Sequence, residues 1–365
     1  MQTNKNAYRR TIASGFGLVD VLIATICIAV MASMLLPLLL QMRSEARLDT
    51  CQVRIRTIVI AGHNYHDSYR RMPPATLGVD DVVNVSEWNK DEGEKSWKST
   101  QNSSSLLLTA AFTDLRPEWN AAHDIAKDLV KSLQDYNSTA DVKFAWQGDI
   151  EGLDGIMSSQ HDSLTCPEDD LADISVRAII ATQTCEPFEV SEMESNDRCR
   201  DIATQLYPGE EESIGLTNFV ACIGVTGSSW DDDRESNRWR GAMTMRSRIT
   251  LEGIRDGTSR TIMYGESIGE IVDGERRAAM SWLWGGGARL SGDLPFDPTT
   301  LEDADDIPMF GTAESSSRVG FGSRHEDVVT FGLCDGSVRQ IKRDVDHMTL
   351  KQLAGKDDGG IPLDF

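Results

Sequence analysis

The chain lacks the short glycine-rich motifs that announce nucleotide chemistry. No GxGxxG or GxxxxGK(S/T) occurs, so neither a dinucleotide-binding turn nor a P-loop is indicated. The triple glycine Gly285 to Gly287 follows Trp284 with no helix pattern to supply a phosphate-binding N-terminus, and reads as a bend. Scattered His, Asp and Ser residues carry no information by themselves, so no catalytic residue is assigned and an enzyme is not expected. No CxxC pair occurs, which argues against a zinc ribbon or a thioredoxin-like site, and no EF-hand spacing occurs. Basic residues are also scarce, 36 against 58 acidic for a net charge of -22, whereas a nucleic-acid binder needs a clustered basic surface. The acidic residues run together at Glu210 to Glu212, Asp231 to Asp233 and Asp303 to Asp306, a pattern of solvated loops.

A long uncharged run is present instead. From Phe16 to Leu40 the sequence FGLVDVLIATICIAVMASMLLPLLL contains one acid, Asp20, and at about 1.5 Å per residue it spans a hydrocarbon core of about 30 Å. A cleavable secretory signal has a shorter apolar region followed by a small-residue cleavage site. Here the small residue, Gly15, precedes the run. Lys5, Arg9 and Arg10 stand before it and Arg43 and Arg47 after it, so charge alone barely decides orientation.

A basic leader, then Gly15-Phe16, then an apolar helix with an acid at its fifth residue and a proline further on, resembles the processing site of type IV pilins and type II secretion pseudopilins. The resemblance implies cleavage by a prepilin peptidase between Gly15 and Phe16, methylation of Phe16, and packing of like subunits through their N-terminal helices. It also implies a single-pass protein of the inner membrane, with a cytoplasmic N-terminus and a periplasmic or extracellular C-terminal domain. Asp20 stands where those proteins carry glutamate, and Pro37 matches the proline that kinks their helices. A lone carboxylate in hydrocarbon normally requires a partner, which in a filament is the neighbouring amino terminus.

Beyond the apolar run, Met42, Ala46, Leu48, Cys51, Ile55, Ile58 and Val59 recur at three- and four-residue steps, predicting an amphipathic continuation whose stripe packs on the following domain. The polar cluster after Gly62, and then Pro73-Pro74, predict its end near Gly62. Residues 80 to 105 read as a polar loop, and residues 118 to 136 as a second helix. Residues 173 to 182 fit strand or helix equally. From Leu216 onward, short apolar runs bounded by Gly, Asp or Ser predict an antiparallel sheet, with Asp335-Gly336 as a two-residue type I′ hairpin turn and Asp256-Gly257 as a second turn of that chemistry. The fold class expected is α+β, a long N-terminal transmembrane and amphipathic helix packed on a C-terminal antiparallel sheet, pilin-like with large insertions. The divisions are a leader at 1–15, a transmembrane helix at 16–40, its amphipathic continuation at 41–72 and an extracytoplasmic domain at 73–365.

Five segments in order, CQVRIRTIVIAGHNYHDSYRRMPP from Cys51, SLTCPEDD, NFVACIGVTG, IRDGTSRTIMYGES and HEDVVTFGLCDGSVRQI, resemble the landmarks of bacterial DUF1559 proteins. That family joins a prepilin-type N-terminus to a C-terminal region in which a histidine precedes Asp-Gly by ten residues, here His325 and Asp335-Gly336. His63, Asn64, Tyr65, His66, Asp67, Asp256 and Gly257 fall in the other landmarks. No cofactor is expected; the one that the resemblance to pseudopilins allows is calcium, which some of them hold in C-terminal loops.

Two clusters carry alternatives. His63 and His66, with Asp67, have the spacing to share a transition metal, but more often such a group caps a helix end, and no metal site is assigned. Six cysteines outside the apolar run, Cys51, Cys166, Cys185, Cys199, Cys222 and Cys334, permit up to three disulfides in fifteen connectivities. The function expected is a non-enzymatic pilin-like or pseudopilin-like subunit. The alternative is a membrane-tethered module that binds a solute, glycan or secreted protein, for which Trp282 and Trp284 would offer an aromatic platform.

Overall fold

The computed structural model describes residues 17–78, 101–125, 156, 158–169, 171, 177–184, 201–206, 215–225, 239–244, 247–282, 287–288, 310–316 and 320–360. Gly15, Phe16, Trp284, Cys185, Cys199 and the three acidic runs lie outside these residues, as does the side chain of Asp20. By its contacts the chain divides into two units, Met1–Ala46 and Arg47–Phe365.

One helix, α1 (Leu18–Tyr69), runs through both. In the first unit its large apolar side chains are exposed from Leu18 to Met42, and α1 is long and apolar enough to cross a membrane. Such a helix is compatible with a single-pass anchor or with a signal sequence. The helix continues through Pro37, which deprives the Ser33 carbonyl of its i+4 donor without ending the element.

In the second unit α1 buries Cys51, Ile55, Ile58, Val59, Ala61, Gly62, Tyr65 and His66, a one-sided stripe of helical period. The expected stripe begins too early, because Met42 and Ala46 are exposed and Leu48 is only half-buried. The expected end near Gly62 is also corrected. The HNYHDSY segment is helical because Tyr65 stacks on Tyr69 at 4.5 Å and His66 packs on the turn at Leu251, burial that a local reading of polar residues does not see. Arg70, at φ 58°, ends the helix in a left-handed conformation, and its amide returns to the His66 carbonyl.

The docked half of α1 lies on a five-stranded sheet. Its order is β10 (Gly287–Ala288), β6 (Phe219–Cys222), β7 (Ile262–Glu266), β11 (Val328–Leu333), β12 (Val338–Lys342). All its pairings are antiparallel except β10 with β6. Gly332 faces Val59 and Gly62 faces Met263, and a Cβ on either glycine would collide with that neighbour, so neither position leaves room for a side chain between helix and sheet. A register shift at Met263 turns both it and Tyr264 into the helix-side core. The opposite face carries Phe331, Val329 and Ile341, with Phe321 packed edge-on to Phe331, and is covered by α4 (His347–Ala354) through Leu350 and Leu353.

A second sheet orders β4 (Asp201–Leu206), β3 (Arg177–Thr184), β9 (Glu275–Ser281) and β5 (Leu216–Thr217), with β8 (Glu270–Val272) also on β9. Here β3 and β9 are parallel and the other pairs antiparallel. Residues 177–184 are thus strand. A small hairpin, β1 (Thr76–Gly78) with β2 (Gln101–Ser104), leads into α2 (Ser105–Thr109) and α3 (Arg116–Ile125). The strand at 101–104 replaces the end of the expected loop, and the expected second helix is described to Ile125. The architecture is α+β, as expected.

The hairpin at Asp335-Gly336 forms, but with a different turn. The Leu333 amide donates to the Ser337 carbonyl and the Gly336 amide to the Leu333 carbonyl, which leaves Cys334, Asp335 and Gly336 as a three-residue loop. Gly336 sits at φ 90° while Asp335 keeps negative φ, so this is the bulged three-residue connection rather than type I′. The Asp335 carboxylate accepts from the Ser337 amide. Type I′ chemistry occurs instead at Asp273-Gly274, φ 52° and 78°, joining β8 to β9. Asp256-Gly257 makes a turn with Gly257 at φ 98°, but joins no hairpin. The Asp256 carboxylate accepts from the amides of Asp358 and Gly359.

Candidate functional site

Where the docked helix crosses the central sheet, four side chains from four distant segments converge. Cys51 comes from α1, Cys166 from the segment after a helical turn at Asp162–Leu164, Glu266 from the end of β7, and His325 from the segment entering β11. All four are buried, and one ligand-type atom of each lies within 4.8 Å of the others. The Cys51 thiol donates to Glu266 Oε1 at 2.8 Å. Cys166 Sγ and His325 Nε2 are 3.3 Å apart, and His325 Nε2 lies 3.9 Å from Glu266 Oε1.

Local structure fixes each member. Glu266 is on the helix-facing side of β7, with Gly332 and Tyr264, and its second oxygen, Oε2, accepts from the Thr330 amide of β11 at 2.7 Å. The Cys166 amide donates to Asn218 Oδ1 at 2.7 Å, and Asn218 Nδ2 donates to Asp169 Oδ2 at 2.6 Å. Asp169 is in turn ion-paired with Arg276 of β9, both side chains being almost fully buried. From the helix side, Arg54 donates to the Thr165 carbonyl and Arg47 pairs with Glu168, so α1 grips both flanks of Cys166. Arg343 donates to the carbonyls of His325, Ser323, Gly311 and Glu326, holding the segment that carries the imidazole.

The electrostatics of the cluster set its two thiols apart. The Cys51 hydrogen bond to Cys166 raises the Cys51 thiol, as do burial and the nearby Glu266 charge. The same bond lowers Cys166, helped by His325 and opposed by burial. Burial is the largest influence on His325 and disfavours its charge, yet Cys166 and Glu266 outweigh it and raise its affinity for a proton. Of the two thiols Cys166 is thus the one that gives up its proton more readily. Chemically the cluster offers two sulfurs, one imidazole nitrogen and one carboxylate oxygen, a set able to hold a metal ion.

Sequence reasoning did not assemble this group. There Cys51 and Cys166 are disulfide candidates, His325 is only the landmark histidine before Asp335-Gly336, and Glu266 is not singled out. Yet the four residues come from four of the five family-like segments, and the fifth supplies Asn218, so the motifs meet at one place.

The disulfide expectation is corrected for the four described cysteines outside the apolar run: Cys51, Cys166, Cys222 and Cys334 are free thiols. Strand β7 lies between β6, which carries Cys222, and β11, which leads into Cys334. Two strand spacings separate those backbones by about 10 Å, beyond disulfide reach. Burial pushes the Cys222 thiol up to about 12 and the Cys334 thiol well above its usual range, making both inert core residues.

The other expected residues lie elsewhere. His325 and Asp335 stand at opposite ends of β11, as the strand length requires. Half-buried His63 lies instead beside the Asp335-Gly336 loop, with Nε2 3.8 Å from where a Gly336 Cβ would stand. His66 accepts from the Leu251 amide through Nε2, while Asn64 and Asp67 are exposed. These residues join no metal-capable group among the described residues. Trp282 is fully buried, donating to the Ser159 carbonyl and packed edge-on to His161, so it is core rather than a ligand platform.

A sequence model of the family described as "Protein of unknown function (DUF1559)" matches residues 41–348. No curated protein and no solved structure matches the chain.

Proposed function

Because the chain belongs to the DUF1559 family, and because its N-terminal helix bears an exposed apolar surface from Leu18 to Met42, we propose that it is a non-enzymatic pilin-like or pseudopilin-like subunit. In this reading a prepilin peptidase cuts between Gly15 and Phe16, the first half of α1 rests in the inner membrane, and the domain from Arg47 onward is extracytoplasmic. Neighbouring subunits pack through their apolar helices, and Asp20 meets the amino terminus of the next.

The observation that carries the proposal is the continuity of α1. The exposed apolar stretch and the stripe buried against the sheet belong to one helix, so the anchor and the folded domain share one element. A detached signal sequence would not need that continuity.

Mass spectrometry of the protein purified from its native membrane tests the reading. An N-methylated Phe16 terminus is the expected result, and an intact Met1 terminus would overturn it. The binding-module reading has lost one of its two motivating residues, since Trp282 is enclosed.

A further inference from the structure

We propose that Cys51, Cys166, Glu266 and His325 bind one divalent transition metal ion of the zinc class, as a closed structural site that fastens the docked half of α1 to the sheet. The proposal is independent of the pilin reading, since it concerns only the folded unit from Arg47 onward.

The donor set comes first. Thiolate and imidazole ligands select zinc-like ions over calcium or magnesium, which take oxygen ligands. The spacing is also suitable. Donors about 2.0–2.3 Å from a tetrahedral ion lie about 3.3–3.8 Å from one another. The observed separations of 2.8, 3.3 and 3.9 Å bracket that range, with every pair inside 4.8 Å. All four donors belong to the protein and are buried, which leaves no open position for a water or substrate, the arrangement of a structural rather than a catalytic centre.

The supporting contacts point the same way. Metal ligands are normally oriented by outer hydrogen bonds. Glu266 spends Oε2 on the Thr330 amide and turns Oε1 to the cluster, the Cys166 backbone is held by Asn218, and the His325 backbone by Arg343. A buried carboxylate is stabilised by a direct counter-charge, and the Arg343 guanidinium donates to carbonyl oxygens rather than to Glu266. A dication supplies it. Binding releases two protons, one from the Cys51 thiol and one from the Cys166–His325 pair, and leaves two thiolates, a neutral imidazole and a carboxylate around the ion.

Elemental analysis of the full chain, purified in detergent without added metal, is the test. We expect about one equivalent of zinc or a similar ion, unchanged in Cys27→Ser and at least about tenfold lower in Cys166→Ser and His325→Asn. Because misfolding of those variants would also lose metal, the wild-type chain is also stripped with chelator and titrated with cobalt(II). A sulfur-to-cobalt charge-transfer band with the intense visible absorption of tetrahedral cobalt supports the site. Sub-stoichiometric metal together with no cobalt band overturns it. So does a Cys51–Cys166 disulfide found by peptide mapping in protein alkylated before unfolding.

Discussion

Val59 of α1 lies directly against Gly332 of β11, and one turn further along the helix Gly62 meets the methyl end of Met263. The two contacts set how closely the helix approaches the sheet, but they differ in stiffness. Val59 is β-branched with restricted χ1, whereas Met263 ends in a flexible thioether.

Gly332→Ala is therefore expected to cost about 1–3 kcal/mol, the range for overpacking a well-filled core. Gly62→Ala is expected to cost less than Gly332→Ala, since Met263 can swing aside and alanine favours helix by about 1 kcal/mol. Denaturant unfolding of the full chain in detergent, monitored by tryptophan fluorescence, ranks the two variants. The reverse order would show that the helix, not the strand, sets the spacing.

Asp169 joins three parts of the molecule, pairing with Arg276 on β9 and accepting from Asn218, which holds the Cys166 amide. Asp169→Ala leaves a buried guanidinium without its counter-charge, a change expected to cost about 3–5 kcal/mol. The measurement is again the unfolding midpoint, joined to the rate at which Cys166 reacts with a thiol reagent in the folded protein. Slow, wild-type labelling in the variant would show that Asp169 does not hold the Cys166 segment.

His63 gives a pH dependence of known sign. Burial, and then the proximity of His66, lower its pKa below the usual histidine value, against the weaker pull of Asp67 and Asp335. The folded state thus disfavours the charged ring. The stability His63 contributes is present above the unfolded value of about 6.5 and is lost as pH falls through the lower folded value. Melting temperature followed from pH 8 downward should fall less steeply in His63→Gln than in the wild type. Superimposable curves for the two proteins would rule out His63 as a source of the acid sensitivity.

Much of this arrangement was legible in the sequence, because its carriers are long or local. The uncharged run from Phe16 to Leu40 and the period of Cys51, Ile55, Ile58 and Val59 declare one helix, and alternation around Asp335-Gly336 declares a hairpin. What escaped depends on tertiary placement. Tyr65 and His66 look like loop residues until the turn at Leu251 buries them. The loop type at Asp335-Gly336 depends on strand register, which also places the true type I′ turn at Asp273-Gly274. Glu266, in the short strand IMYGE, gives no local sign that it is buried, and only the crossing of α1 over the sheet gives it meaning.

The cluster beneath α1 also constrains the order of assembly. Cys51 and Glu266 are 215 positions apart, and Cys166 and His325 are 159 apart. Loops of that length close slowly, and each thiol stays accessible until its late partner is in place. For a chain translocated into an oxidising compartment, both cysteines pass through a period of exposure to thiol oxidants before the sheet encloses them. In such a compartment the race between sheet closure and oxidation would decide how much of the newly made protein matures with its thiols intact.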